Sequence, residues 1–103
     1  MRVERDGWFI DIEILDVSAR PNWEIRCRIR RSKDAREEER GHRFFVSPDL
    51  SERYRLSELR EDRRTDLMTR GAKKVILREM EDIFAEPEGG LDSLRPLGDE
   101  DLA

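Results

Sequence analysis

The residues of this sequence that could do chemistry are a basic run, a single cysteine and a single histidine. The basic run consists of Arg26, Arg28, Arg30, Arg31 and Lys33. On a β-strand, its first three arginines project from one face about 7 Å apart, a spacing comparable to that of successive phosphates on nucleic acid. With Phe9 and Phe45 nearby, such a face is typical of single-stranded nucleic-acid binding. The interpretation that we favour is a solvated face that is neutralised by Asp11, Glu13 and Glu24.

Cys27 and His42 could form a nucleophilic pair, but their context favours structural roles. Cys27 alternates with Ile25 and Ile29, which predicts a buried thiol, and we expect His42 at the surface. A zinc site of Cys and His ligands needs about four of them, which one chain with this composition does not supply. Gly89 and Gly90 lack the lysine and hydroxyl of a phosphate-binding loop. We therefore expect a non-catalytic protein with no catalytic residue, no metal and no cofactor.

The element that must position the basic run is a β-hairpin. Large and β-branched residues alternate from Trp8 to Ile14 and again from Trp23 to Ile29, the pattern of strands with one buried face. The segment 20–22 joins the two runs. We expect Ile14 opposite Ile25, which would place Glu13 opposite Arg26 and Asp11 opposite Arg28 and would add opposite-charge pairs across the ladder.

The rest of the chain reads as one more strand followed by helix. The pattern predicts a third strand over residues 42–46, a mobile charged connection over 31–41, and residues 1–6 that either fray or extend the first strand. Ser47 before Pro48 is a helix-start signal, and Ser57 is a second one. From Thr65, apolar residues recur at helical spacing, and Gly71 either lets this helix approach the sheet closely, which we favour, or separates two helices.

This order predicts an α+β fold, with a three-stranded antiparallel β-sheet followed by one or two α-helices packed on one face of the sheet. We assign residues 1–87 to a single domain and residues 88–103 to a flexible acidic C-terminal tail. Ordering residues 91–103, the last thirteen of this tail, would cost about 1–2 kcal/mol per residue in backbone entropy. Exposed ion pairs at about 0–1 kcal/mol do not offset this cost, so disorder is expected.

Three antiparallel strands followed by a helix that carries Lys73 and Lys74 resemble the later part of a double-stranded-RNA-binding domain. The resemblance implies phosphate contacts by a lysine pair at a helix start. This chain lacks the helix that precedes the first strand in that family. Our reading also places both lysines in mid-helix, so no residue role is carried over.

Composition and charge bear on the partner and on the compartment. Charged residues make up 45% of the chain and the net charge is -4, which argues against coating of nucleic acid by the whole molecule. A single cysteine fits a reducing cytosol, and no apolar run is long enough to span a membrane, so we expect a soluble cytoplasmic protein. The lean apolar content and open sheet edges favour a protein partner or self-association as a homodimer. Nucleic-acid binding by the basic hairpin face is the alternative.

Overall fold

The computed structural model describes residues 2–19, 21–85 and 93–103, and these form an α+β fold. Its sheet has five strands in the order of the chain: β1 (Arg2–Arg5), β2 (Trp8–Ala19), β3 (Trp23–Lys33), β4 (Arg36–Phe45) and β5 (Leu94–Pro96). Strands β1 to β4 are antiparallel neighbours, and β5 runs parallel to β4. The predicted class is confirmed, whereas the predicted three-stranded sheet has two strands fewer than the structure.

The first additional strand arises from a tight turn at Asp6 and Gly7. Both residues have positive φ, 53° and 82°, which is the conformation of the two-residue hairpin turns that favour an Asp-Gly pair. The turn places Arg5 opposite Trp8, and Arg2 opposite Asp11. Residues 2–5 therefore extend the sheet, which was one of the two outcomes expected for residues 1–6.

The hairpin of β2 and β3 has the predicted faces, but its predicted register is wrong. Ile14 lies opposite Cys27, and Glu13 lies opposite Arg28. A bulge between Ile14 and Asp16 inserts Leu15 as an extra residue on β2. Because the observed and predicted registers differ by two residues around Ile14, the same side chains still point into the core.

The predicted mobile connection over residues 31–41 is wrong, since these residues complete a second long hairpin. β3 continues to Lys33, Asp34 turns the chain with a φ of 55°, and β4 begins at Arg36. The segment lacks large apolar residues, which led to the loop prediction. It nevertheless forms a strand pair, in which Arg30 lies opposite Glu39 and Arg31 lies opposite Glu38, and such opposite-charge pairs stabilise a ladder.

The helical layer consists of α1 (Pro48–Arg53), α2 (Glu61–Arg78), α3 (Met80–Ala85) and α4 (Asp99–Leu102). The predicted start at Ser47 is confirmed, because its hydroxyl caps α1 by accepting a hydrogen bond from the Leu50 N–H at 3.3 Å. Ser57 lies in a short 3₁₀ turn (Leu56–Glu58), and the long helix begins later, at Glu61.

The core lies between the sheet and these helices. From the sheet it receives the alternate residues of β2 and β3, and from the helices it receives the apolar stripe of α2 and α3; the fully buried large side chains include Ile10, Ile25, Ile29, Phe44, Met68, Ile76 and Ile83. The opposite face of the sheet, termed here the outer face, carries the other set of alternate residues.

Residues 93–103 differ from the predicted flexible tail, because they pack on the domain as β5 and α4. Leu97 is 1% exposed and Leu102 is 3% exposed. The Asp101 carboxylate accepts hydrogen bonds from Arg78 Nη1 and from the Gly98 N–H, both at 2.8 Å. The predicted tail residues 88–92 lie outside the described residues.

Gly71 explains how this segment comes so close to α2. A Cβ atom at Gly71 would lie 3.3 Å from the Asp101 carbonyl oxygen and 3.5 Å from a methyl group of Leu102. The predicted close approach of this helix to the sheet at Gly71 is therefore wrong, because the close neighbour of Gly71 is α4. α2 continues through Gly71 and ends at Arg78, so the helix break lies eight residues later, at Glu79.

We predict that Leu97→Ala destabilises the protein by about 2–4 kcal/mol, since it removes a fully buried side chain. Its melting temperature should fall by about 10 °C or more, measured by circular dichroism. Leu94→Ala is the matched control three residues away, because Leu94 is 46% exposed. Equal melting temperatures for the two variants would show that the segment is not docked in solution.

Candidate functional site

The structure divides the five predicted basic residues between the two faces of the sheet. Arg26, Arg28 and Arg30 project from the outer face of β3, as predicted. Arg31 lies on the opposite face and is 6% exposed. Lys33 lies at the end of the hairpin with its Nζ atom 5.7 Å from the centroid of the Trp8 ring. The five residues therefore do not form one surface.

The arginines of the outer face are interleaved with acids. Arg28 Nη1 lies 3.0 Å from Glu13 Oε1, and Arg28 Nε lies 3.3 Å from Glu39 Oε1. Arg30 Nε donates a hydrogen bond to the same Glu39 oxygen at 2.9 Å, and this contact raises the pKa of Arg30. These contacts are those expected of the solvated-face interpretation.

The charge of the outer face as a whole follows from the strand register. Among the described residues, the ladder places five arginines there, namely Arg2, Arg26, Arg28, Arg30 and Arg43. It places seven acids there, namely Glu4, Asp11, Glu13, Asp16, Glu24, Glu37 and Glu39. Because acids exceed bases, this face as a whole does not provide the positive potential that attracts a phosphate backbone.

Arg31 closes one end of the core. Its guanidinium carbon lies 4.2 Å from the ring centroids of both Trp8 and Phe84, so it is sandwiched between a strand residue and a helix residue. Its Nη1 atom lies 3.0 Å from Glu81, and its Nη2 atom lies 3.2 Å from Glu38. The sequence did contain a signal for this burial, because Arg31 continues the inward series of Ile25, Cys27 and Ile29.

Cys27 and His42 lie directly opposite each other on β3 and β4, and both are buried. The buried cysteine is confirmed, whereas the predicted surface position of His42 is wrong, since its ring packs 4.9 Å from the Phe44 ring. Burial raises the pKa of the Cys27 thiol to about 12. This shift is opposite to the one that activates a cysteine nucleophile.

The lysines of the double-stranded-RNA-binding resemblance lie inside α2, more than three turns after its start at Glu61. The Lys74 ammonium donates a hydrogen bond to the Ala103 carbonyl oxygen at 3.2 Å. Their position is therefore unlike that of a phosphate-binding pair at a helix N-terminus.

One long strand edge is open. β2 has twelve residues and is paired with β3 as far as Ala19, whereas β1 covers only Trp8 to Asp11 on the other side. No strand in the described part of the chain pairs with residues 13–19 on that other side. We call residues 13–19 the open edge. Its inward side chains Ile14 and Val17 are half-buried and pack on the core, while Asp16 is exposed.

Metal-binding clusters and membrane-spanning helices are both absent from the described residues. Over residues 2–19, 21–85 and 93–103, no three His, Cys, Asp or Glu side chains are grouped so that they could hold a metal ion. Within the same part of the chain, no helix combines the length and the apolar character that crossing a membrane requires. The open edge and the outer face are two candidate binding surfaces.

Comparisons with protein-family models, with curated proteins and with solved structures gave no match to this chain. The function has to be argued from the geometry of its own residues.

Arg31→Ala should destabilise the fold by about 2–3 kcal/mol, because it empties the space between two aromatic rings and removes a buried cation. Arg30→Ala is the matched control on the adjacent residue, and its melting temperature should stay near that of the parent, since an exposed ion pair contributes little. Arg31→Met should recover most of the loss, because an unbranched apolar side chain fills the same space. Equal effects of the two alanine variants in chemical denaturation would contradict the structural role of Arg31.

Cys27 should resist alkylation at pH 8 in the folded protein and react at once in denaturant. Because its folded pKa of about 12 lies above the ordinary thiol value of 9.0, burial of the neutral thiol stabilises the fold fully below pH 9. That contribution is lost as the pH rises toward 12. Mass spectrometry after iodoacetamide treatment measures the reaction, and rapid labelling without denaturant would show that the thiol is accessible.

Proposed function

We propose that this chain is a non-catalytic protein-binding domain and that the open edge is its binding element. The observation that carries the proposal is the unequal pairing of β2: among the described residues, a strand pairs with residues 13–19 on one side only. The N–H and C=O groups along such an edge are a template for an added strand. Strand addition is a common way in which domains bind extended peptides.

The side chains at this edge support the same proposal. Ile14 and Val17 pack against the core but remain half-buried, and no strand in the described part of the chain lies beside them at the open edge. An added strand would complete their burial while it extended the hydrogen-bond ladder. Burial of apolar area contributes about 25 cal/mol per Å², so the edge offers side-chain as well as main-chain binding energy.

The raised pKa of the buried Cys27 thiol fits a binding role better than a nucleophilic one. A thiol whose pKa is raised to about 12 is neutral at physiological pH and is a poor nucleophile or metal ligand. A buried free thiol is also consistent with a reducing compartment, and we propose the cytoplasm.

Nucleic-acid binding by Arg26, Arg28 and Arg30 is the second candidate. The observation that favours it is the cross-strand pair of Arg26 and Arg43, two like charges directly opposite each other on the outer face. Such pairs are destabilising unless another group compensates for them. Glu24 provides part of this compensation, because its Oε1 atom lies 3.3 Å from Arg43 Nη1.

The test uses random heptapeptides displayed on phage, selected on the immobilised full chain and then mapped by amide chemical shifts. We expect the selected peptides to perturb residues 13–19 more than the outer-face arginines. Mixed-sequence RNA and DNA at low salt should leave the spectrum unchanged. Oligonucleotide binding that weakens steeply with salt, and that is lost when Arg26, Arg28 and Arg30 become serine, would favour the second candidate instead.

The homodimer expected from the sequence is tested separately by sedimentation equilibrium at micromolar concentration. Pairing of two open edges about a two-fold axis would give a dimer of twice 12.3 kDa. A mass equal to the monomer alone would leave a different protein as the partner.

A further inference from the structure

The open edge has a distinct chemical character on each face of the sheet. On the outer face it presents the carboxylates of Glu13 and Asp16, and both residues are exposed. On the inner face it presents the aliphatic side chains of Ile14 and Val17. The sequence from 13 to 19 contains no lysine and no arginine.

The strand on the other side of β2 shows which chemistry complements this pattern. On β3, Arg28 lies opposite Glu13 and Arg26 lies opposite Asp16. The first of these pairs is a direct ion pair, with Arg28 Nη1 at 3.0 Å from Glu13 Oε1. Between them Cys27 points inward opposite Ile14, and Ile25 follows opposite Val17. β2 is therefore already matched, on one side, by a strand in which arginines alternate with small or aliphatic side chains.

The bulge at Leu15 sets the spacing between the acids of β2 and the arginines of β3 that face them. Glu13 and Asp16 are three residues apart on β2, whereas Arg28 and Arg26 are only two apart on β3, because the bulge inserts one extra residue. A strand added at the open edge meets the same two carboxylates. Two basic residues at positions i and i+2 would bring both positive charges to the outer face.

A second copy of this chain fits the open edge poorly. Antiparallel pairing of two open edges brings Glu13 and Asp16 of one copy near the same residues of the other, with no base in either segment to compensate. Like charges directly opposite each other destabilise a strand pair. Since the whole chain also carries a net charge of -4, its long-range field opposes self-association too.

We infer that the occupant of the open edge is an extended segment of another protein in which arginine or lysine alternates with aliphatic residues. The inference rests on the proposed protein-binding function and adds the chemical class of the partner. Its basic side chains face Glu13 and Asp16, and its aliphatic side chains cover Ile14 and Val17.

The probe is a heptapeptide that copies residues 24–30 of this chain with Cys27→Ser, which keeps the arginine alternation and removes the thiol. Two control peptides accompany it, one with the same composition but consecutive arginines, and one with glutamate at each arginine position. We expect the probe to shift the amides of residues 13–19 and to bind about tenfold more tightly than either control, because two cross-strand charge pairs are lost or reversed in the controls.

A pair of protein variants tests the carboxylate itself. Asp16→Lys should weaken binding of the probe about tenfold, because it replaces an attractive cross-strand contact by a repulsive one. Glu37→Lys makes the same charge change on the outer face of β4, far from the open edge, and should alter affinity less than twofold. Amide spectra of both variants without peptide establish that they are folded.

The outcomes separate the partner chemistry from the function. Binding of the glutamate peptide at residues 13–19 with equal affinity would overturn the inference while the protein-binding function stood. Concentration-dependent self-association that perturbs the same amides would overturn it in favour of a second copy. No binding by any peptide, together with a monomer at all concentrations, would overturn both.

Discussion

The central strand β3 imposes the constraint on which the rest of the sheet depends. It pairs with β2 on one side and with β4 on the other, over almost its whole length. Ile25, Cys27 and Ile29 point inward and are fully buried, while the arginines between them point outward. A slip of one residue would turn three guanidinium groups into the core, and burying unpaired charges costs several kcal/mol each. The two neighbouring strands are thereby confined to registers that keep these faces.

The inward series of β3 ends on a charge instead of an aliphatic residue, and that charge joins the two layers. Arg31 touches Trp8 of β2 and Phe84 of α3 with the faces of its guanidinium, and its edges bind Glu38 and Glu81. The planar guanidinium is suited to this position, since it stacks on rings and also donates hydrogen bonds in its own plane. α3 is only six residues long, so these contacts are an important part of its attachment to the sheet.

The sequence predicts which face of the sheet each side chain of β2 and β3 lies on, but it does not predict which residues pair across the strands. The two-residue period of β2 and β3 identifies inward and outward side chains, but registers that differ by two residues preserve those faces equally well. The bulge at Leu15 is marked by a break in that period, because the inward apolar residues step by three from Ile14 to Val17, beyond the alternation that ends at Ile14. Apolar periodicity also does not predict the part of β4 that precedes His42. Its inward residues are charged: Glu38 pairs with Arg31, and Arg40 donates a hydrogen bond to the Phe84 carbonyl oxygen.

The C-terminal segment was misjudged for a different reason, which is that its partner is distant in the chain. The expectation of disorder treats its acids as exposed charges, whereas Asp101 is buried beside Arg78. The hydrogen bond between these two residues raises the pKa of the arginine. The sequence does not show which surface Leu97 and Leu102 could cover. In the structure, the space at Gly71 of α2 provides that surface. Among the candidate site residues, Arg26, Arg28 and Arg30 could be placed from periodicity. The neutralisation of Arg28 and Arg30 by Glu39 depends on a strand that the charge pattern does not predict.

In the proposed binding role, the features of the open edge that oppose pairing with a second copy are also the ones that would make it selective. Natural sheets protect their edges with short strands, bulges and charged side chains. β1 covers only four residues of β2, so the remaining protection comes from the bulge at Leu15 and from the carboxylates of Glu13 and Asp16. Repulsion between like charges acts against every acidic or identical strand, but it becomes attraction toward a basic one. The bulge adds a geometric condition. Glu13 and Asp16 are three residues apart on β2, and an incoming strand would have to face them with two residues that are only two apart, as β3 does. In the proposed role, such an edge would discriminate among incoming strands by charge and by spacing, whereas a merely blocked edge would exclude all strands alike.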